Sequence, residues 1–429
     1  MRSRFEGWCA VIEVKTLSAY EILDSRGQPT ISVVLELTNG VVARSGVPSG
    51  ASTGSQEAVE LRDGDLMRYA GRGVLRAVEH INGEVAGHLC GRDFASLADL
   101  DEALLKLDGT ANKERIGANA IIGVSMAAAR AFAETEGRSL WRSLTPGGVE
   151  PRLPVPHFNI VNGGAHAPNS LDFQEFMIAP LGARNFAEAV RAGAEIYRVL
   201  RGELQSRSLG VGLGDEGGFA PEIGSPEAVL ELLVDAIESA GYETGFDGVM
   251  IALDPAANGF YRDGMYHVDG EKLSSDQMVE RYFEMIERFP IWSLEDGLAE
   301  NDRDGWLHLT DRLSEYVQLV GDDLLVTNPT IIAEAIERKM GNAALIKPNQ
   351  IGTVTETLEA MRICRDAGWS QMVSHRSGET IDSFIADLAV GAGCGQIKSG
   401  APARGERVAK YNRLIEIEAT NALPYGRAK

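Results

Sequence analysis

Apolar and polar positions divide this chain into two halves with different rhythms. From about residue 11 to 45, the runs VIEVKTL, ISVVLELTNG and VVARSGV are punctuated by SRGQPT and NG, which predicts an antiparallel meander. Helical periodicity follows in GVLRAVEHINGEVAGHL and in the alanine-rich GANAIIGVSMAAARAFAETEG, where Gly137 is placed to cap the C-terminus. A sheet followed by helices makes an α+β unit of about 140 residues. Thr145 to Pro156, TPGGVEPRLPVP, carries four prolines and two glycines and cannot continue a helix. The boundary is predicted there, with an N-terminal α+β domain over 1–144 and a C-terminal domain over 145–429.

In the second half short apolar runs alternate with amphipathic segments such as NPTIIAEAIERKM and TVTETLEAMRICRDAG. The runs VMIALD, PIWSLED, VQLVGDD, AALIK, QMVSH and GQIK read as strands buried on both faces, the pattern of a parallel α/β sheet. They end at Asp254, Glu295, Asp322, Lys347, His375 and Lys398, at intervals of 41, 27, 25, 28 and 23 residues. Each interval suits one helix-bearing unit, the first with an insertion. The fold class is therefore α/β with a TIM-type β/α barrel, in which polar residues at the C-terminal strand ends converge on one mouth.

Composition narrows the function without naming it. At 429 residues the chain exceeds one compact core, and 44% hydrophobic with 24% charged residues is a globular balance, not that of a disordered or membrane chain. The net charge of −21 repels nucleic acid and anionic membranes, so an anionic substrate needs a locally positive site. Cys9, Cys90, Cys364 and Cys394 are scattered and suggest neither a disulfide framework nor a zinc site. The start, MRSRFEGWCAVIEV, has too short an apolar run for a secretory leader, and no apolar stretch is long enough to span a bilayer. A reduced, cytoplasmic protein with no nucleic-acid partner and no transmembrane segment is expected.

The strand ends suggest chemistry. Asp254, Glu295 and Asp322 are hard oxygen donors from three strands and favour Mg²⁺ over zinc; pairing of each with a nearby cation is the competing structural reading. Lys347 and Lys398 place ammonium groups opposite the acids, and a lysine near another cation can act as a base near neutral pH. Two structural salt bridges would use the same residues. Proton abstraction alpha to a carboxylate gives a dianion that positive charge must stabilise. GDEGG at Gly214 to Gly218 holds two acids in a close-packed loop, and HRSGET at His375 to Thr380 offers an Arg-Ser pair for a phosphate. The loop VPSGASTGSQEAVEL could close over an anion through Ser52 and backbone groups, or Ser52, Thr53 or Ser55 could simply cap the following helix.

Taken together, SGAST, NGGxHAxN, QEFMI, GDEGG, SxEDGL, GDDLxVTN, KxNQIGT, SHRSGET and GQIKxGAPAR stand in the order found in enolases, and the chain resembles that family over about residues 11 to 420. The resemblance implies an N-terminal cap with a mobile loop beside a modified barrel, and two Mg²⁺ ions per active site. It implies that Asp254, Glu295 and Asp322 hold the first ion and that Ser52 helps hold the second. Lys347 would be the base and Glu216 the acid, with His166, Glu175 and His375 lining the pocket. Lys398 would meet the substrate carboxylate, Arg376 and Ser377 its phosphate, and Gln174 a neighbouring position. A lysine or histidine base with one or two Mg²⁺ ions is the general pattern of that superfamily. The implied activity is interconversion of 2-phosphoglycerate and phosphoenolpyruvate, in a homodimer or octamer.

The chain departs from the usual pattern at Gln28, Asn258, Arg303, Pro348 and Glu416. Asn258 and Pro348 lie near the implied ligands in sequence and could alter the pocket. They keep open a second reading, a secondary-metabolic paralogue acting on a phosphonate analogue, of the carboxyphosphonoenolpyruvate synthase type.

Overall fold

Residues 11–51 and 54–426 are described by this computed structural model, so the expected metal contact at Ser52 lies outside the described residues. The meander forms as β1 (Ile12–Leu23), β2 (Pro29–Leu37) and β3 (Val42–Gly46), and β4 (Asp93–Phe94) extends it in the order β3-β2-β1-β4. Leu17 faces Leu35 and Ala19 faces Val33, which gives the sheet one apolar face. Helix Ala118–Thr135 covers that face at close range: a Cβ on Gly123 would meet Val33 Cγ2 at 2.7 Å and Val47 Cγ2 at 2.9 Å. Gly137 takes the expected left-handed conformation just past this helix, at φ +65°.

The helical stretch expected before Leu89 forms with a π turn, Ile81–Val85, between Leu75–His80 and Ala86–Leu89. Asn82 in that turn accepts from Ala19 N at 2.7 Å and donates to Ala19 O at 3.0 Å. Its amide thus serves as a strand partner for the otherwise open edge of β1.

The second half closes an eight-stranded barrel. Its strands are β5 (Val155–Asn162), β6 (Glu175–Ala179), β7 (Met250–Asp254), β11 (Ile291–Glu295), β12 (Gln318–Gly321), β13 (Ala343–Ile346), β14 (Ser370–Ser374) and β15 (Gln396–Lys398). The insertion expected between Asp254 and Glu295 contains a small sheet of β8 (Tyr261–Arg262), β9 (Met265–Val268) and β10 (Glu271–Leu273). The alternation of strands and helices did not reveal β5 and β6, which are joined by a loop with a single 3-10 turn, Gly164–His166, and no α-helix.

The six strands read from the sequence are parallel, and the barrel is modified at its start, as the resemblance implied, because β6 runs antiparallel to both β5 and β7. That reversal governs the connections. The chain leaves β6 at the bottom of the barrel, so helices Phe186–Ser206 and Pro226–Ser239 must go up and come back before β7 begins. The segment between those helices, which includes GDEGG, is thereby delivered to the mouth, where Asn162 N donates to Phe219 O at 2.8 Å. Glu175, the first residue of β6, also lies at the mouth, opposite Asn162 and Asp254.

Beneath the mouth most interior polar groups are satisfied. Gln318 and Gln396 exchange amide hydrogen bonds of 3.0 and 2.8 Å. His157 is the exception: its ring stacks on Trp292 at 4.9 Å, and neither nitrogen makes a well-formed hydrogen bond. The carbonyls of Val155 and Ile397 lie beside the ring but outside good geometry, and burial pushes its pKa down to about 3.

The two halves dock through polar contacts as well as packing. Asp382 binds Arg130 at 2.6 Å and accepts from Gly46 N, and Lys113 pairs with Glu356 at 2.7 Å. Asp101, on helix Leu97–Asp108, accepts from Thr355 N at 3.0 Å and Thr355 Oγ1 at 2.6 Å, at the start of a barrel helix. Burial pushes the Asp101 carboxyl up to about 6 against those hydrogen bonds. Among the described residues, no helix is long and apolar enough to cross a membrane.

Two stability predictions follow from these buried groups. His157→Met replaces an imidazole lacking partners by an apolar group of similar size and should raise unfolding free energy by about 1–2 kcal/mol in urea titrations; a loss would show that the ring is satisfied. For Asp101 the folded pKa is raised, so its contribution is full below the ordinary value of 3.8 and is lost as pH rises through about 6. Asp101→Asn should therefore gain up to about 3 kcal/mol on the wild type between pH 4 and 8. A stability difference that stays flat across that range would overturn the assignment.

Candidate active site

The six predicted strand-end groups meet at the barrel mouth. Asp254, Glu295 and Lys398 are the last residues of β7, β11 and β15, and Asp322, Lys347 and His375 directly follow β12, β13 and β14. One cavity is lined by His166, Gln174, Glu175, Glu216, Asp254, Asp322, Lys347, Ser374, His375, Arg376, Ser377 and Lys398. Glu295 joins it through Lys398. Every expected site residue among the described ones is therefore in a single cluster.

Lys398 is its hub. Its Nζ lies 2.9 Å from Asp254 Oδ2, 2.8 Å from Glu295 Oε1 and 3.0 Å from Glu175 Oε2, with all four side chains buried. Burial disfavours the ammonium, but the charges of Asp254, Glu175 and Glu295 outweigh it and raise the Lys398 pKa well above the ordinary value. Lys347 Nζ lies 2.5 Å from Asp322 Oδ2, and again burial is outweighed by the partner, so its pKa is raised. Burial, with Asp254 second, pushes Glu295 well above the usual carboxylate range. Burial, with Glu216 second, does the same for Glu175.

Four carboxyl groups, Glu175, Asp254, Glu295 and Asp322, thus share two ammonium groups, and Glu216 lines the same cavity. The Arg376 guanidinium is engaged by Glu57, at 3.0 and 3.1 Å. Glu295 Oε2 has no hydrogen-bond donor. Surplus negative charge on hard oxygens fits a divalent cation such as Mg²⁺. Among the described residues, two groups each bring their ligand atoms within 4.8 Å of one another: His166, Glu175 and Glu216 in one, and Asp296, Asp322 and Asp323 in the other. The expected trio is arranged differently, with Lys398 between Asp254 and Glu295 while Asp322 faces Lys347.

A strained loop fixes Asp322 and Lys347. Val326 and Thr327, both β-branched, adopt φ of +43° and +55°, conformations that such residues rarely take. The strain points the Thr327 hydroxyl at two targets: it accepts from Lys347 N at 2.9 Å and bonds Gln350 Oε1 at 2.7 Å. Gln350 Nε2 in turn donates to Asp322 Oδ1 at 2.9 Å. Asp296 accepts from the backbone N–H of Asp322 and of Asp323, each at 2.8 Å.

Glu216 is held by a different set. The GDEGG loop packs so closely that a Cβ on Gly218 would lie 2.7 Å from Asn162 Oδ1, and Gly217 has φ +87°. Glu216 Oε2 accepts from Asn159 Nδ2 at 2.9 Å and faces His375 Nε2 at 3.1 Å, while Oε1 lies 3.8 Å from His166 Nε2. Burial opposes its charge, but His375, His166 and Arg407 offset this and hold its pKa well below the usual range. Burial drives His375 itself down to about 3, so at neutral pH the ring beside Glu216 is a neutral imidazole. Burial also lowers the His166 pKa.

Sequence reading did not single out Asn159, Thr327, Gln350, Glu57 or Arg407. Gln350 and Glu57 stand inside motifs already noted, KxNQIGT and SQEAVEL, and Arg407 is three residues beyond GAPAR. Their roles depend on partners far away in the chain. The two departures nearest the ligands lie outside the cavity wall. Asn258 bridges Asp323 Oδ2 and Glu300 N, each at 2.9 Å, and Pro348 is the first residue of a short helix, where a missing N–H is harmless. Neither lines the cavity.

Two family models match this chain. One described as "Enolase, N-terminal domain" covers residues 14–144, and one described as "Enolase, C-terminal TIM barrel domain" covers residues 150–424.

The hub yields a prediction. Lys398→Met would leave Glu175, Asp254 and Glu295 facing one another without their shared cation, at a cost of about 3–5 kcal/mol in urea unfolding with a chelator present. Added Mg²⁺ should recover part of the loss. A change below about 1 kcal/mol would show that the three acids do not depend on this lysine.

Proposed function

The chain belongs to the enolase family, and on that premise we propose that it is a lyase interconverting 2-phosphoglycerate and phosphoenolpyruvate by removal of the C2 proton and loss of the C3 hydroxyl. The observation that carries this reading is the division of one cavity between two ionisable devices. On one side are Lys347 and Asp322; on the other Glu216 with Glu175, His166 and His375.

Bound Mg²⁺, two per site, would be held by Asp254, Glu295 and Asp322, with Ser52 assisting the second ion, and would supply positive charge to the substrate carboxylate as it becomes a dianion. Lys347 takes the C2 proton. It does so after exchanging Asp322 for substrate, since close pairing with Asp322 keeps its ammonium protonated. Lys398 offers its N–H donors to the substrate carboxylate from the centre of the acid cluster. Arg376 and Ser377 bind the phosphate; the fork that Arg376 presents to Glu57 has the geometry that phosphate oxygens accept. Gln174 completes the wall beside Glu175.

Glu216 protonates the departing C3 hydroxyl. Its carboxyl oxygen lies within 4.8 Å of one from Glu175, close enough for the charge on one to disfavour ionisation of the other. Glu175, whose pKa is raised, is the member of the pair that keeps its proton before substrate binds. His166 and His375 keep the pair aligned. Because Asn258 and Pro348 do not reach the cavity, the ordinary substrate is favoured over a phosphonate analogue. The same reading places the enzyme in the cytoplasm, in glycolysis and gluconeogenesis, as a homodimer or octamer divided at residue 144.

The test separates the two steps. Lys347→Ala should abolish both turnover and exchange of the C2 proton with deuterated water, followed by NMR. Glu216→Gln should lower dehydration by about 10²–10⁴-fold while C2 exchange persists. Equal loss of both in Glu216→Gln would refute the division of labour. Chelation should stop turnover and Mg²⁺ restore it. Turnover of a phosphonate analogue but not of 2-phosphoglycerate by wild type would overturn the substrate.

A further inference from the structure

Arg407 lies on helix Gly405–Thr420, fully buried, and it neither lines the cavity nor pairs closely with a carboxylate. Its nearest acid is Glu406, at 3.6 Å from Nε. Its N–H groups are directed instead at the loops that carry the acid side of the site. Nη1 donates to Arg376 O at 2.6 Å; Nη2 donates to Ser377 O at 2.6 Å and to Asp215 O at 3.0 Å. Nη1 also lies 2.6 Å from His375 Nδ1.

That last contact has only one chemically consistent form. A guanidinium has donors and no lone pair to offer, so His375 Nδ1 must be the acceptor. A neutral imidazole carries one proton, which then sits on Nε2, the nitrogen 3.1 Å from Glu216 Oε2 though outside good hydrogen-bond angle. An imidazolium would set two N–H groups against each other at 2.6 Å. We propose that Arg407 is a positioning residue that fixes His375 as the neutral Nε2–H tautomer and so keeps its one N–H, not a lone pair, on the side of Glu216.

The backbone contacts extend the same role. By gripping Asp215 O on one loop and Arg376 O and Ser377 O on the other, Arg407 sets the spacing of Glu216, one residue after Asp215, from His375, one residue before Arg376. Without the guanidinium, those carbonyls become free acceptors for an Nδ1–H. The ring would then turn a lone pair toward the Glu216 carboxylate, which repels it. The effect on catalysis rests on the role proposed above for Glu216; the tautomer does not.

The experiment reads the two separately. In full-length protein labelled with ¹⁵N-histidine, with His375→Gln used to assign the signal, wild type should show a protonated Nε2 and a bare Nδ1. A protonated Nδ1 in wild type overturns the proposal, whatever the substrate is. Arg407→Met should shift the population toward Nδ1–H and lower kcat by about 10–100-fold, with KM changed much less. Arg407→Lys keeps one donor and should restore the Nε2–H signal and part of kcat. An Arg407→Met protein that retains the wild-type tautomer refutes the proposal. Should Arg407→Met not fold, the wild-type and Arg407→Lys spectra decide it. Failure of 2-phosphoglycerate turnover in wild type, with the expected tautomer present, would count against the proposed substrate and not against Arg407.

Discussion

Everything at the barrel mouth depends on keeping several carboxyl groups close together in a largely buried place. Each buried charge pays a desolvation cost that pairing offsets only when the geometry is good. Lys398 provides that geometry by touching acids from three different strands, β6, β7 and β11, with one ammonium group. The arrangement closes the barrel across its mouth and still leaves surplus negative charge. Surplus negative charge on hard oxygens is what a divalent cation would neutralise.

The reversed strand β6 is the means by which the fold supplies the remaining acids. A strict β/α repeat places one strand end per unit at the mouth. Turning one strand over puts its first residue there instead, and the two helices that follow must carry a loop up to the same level. Glu175 and Glu216 come from these two consequences of one topological change. The acid pair and the lysine side of the site are therefore built by different parts of the barrel, which lets their ionisation be tuned separately: Lys347 against Asp322, and Glu216 against Glu175, two histidines and an amide.

Support for these groups comes from behind the cavity wall. Thr327 holds a left-handed backbone conformation and, through Gln350, links Lys347 to Asp322. Arg407 draws three carbonyls and one imidazole together. Such residues do not touch the cavity, yet they determine which atom of a reacting side chain faces it. Strain and buried charge are concentrated at the same level of the barrel, where the surrounding packing is tight enough to hold them.

Much of this was legible in the chain before folding. A buried strand that ends in a charged residue is a local pattern, so Asp254, Glu295, Asp322, Lys347, His375 and Lys398 could be found from periodicity and spacing, and the ordered motifs added Glu216, Glu175 and His166. The meander and the proline-rich connector were likewise written in short stretches. What tertiary structure alone decided involves partners remote in sequence. The direction of β6 depends on pairing with β7, about 75 residues on, and its short apolar run is the same whichever way it points. Asn159, Glu57 and Arg407 bear no local mark of their duties, because a guanidinium acquires its role only from the carbonyls brought to it. The tautomer of His375 belongs to the same class: an imidazole has no preference strong enough to set it, and the helix that passes behind it does.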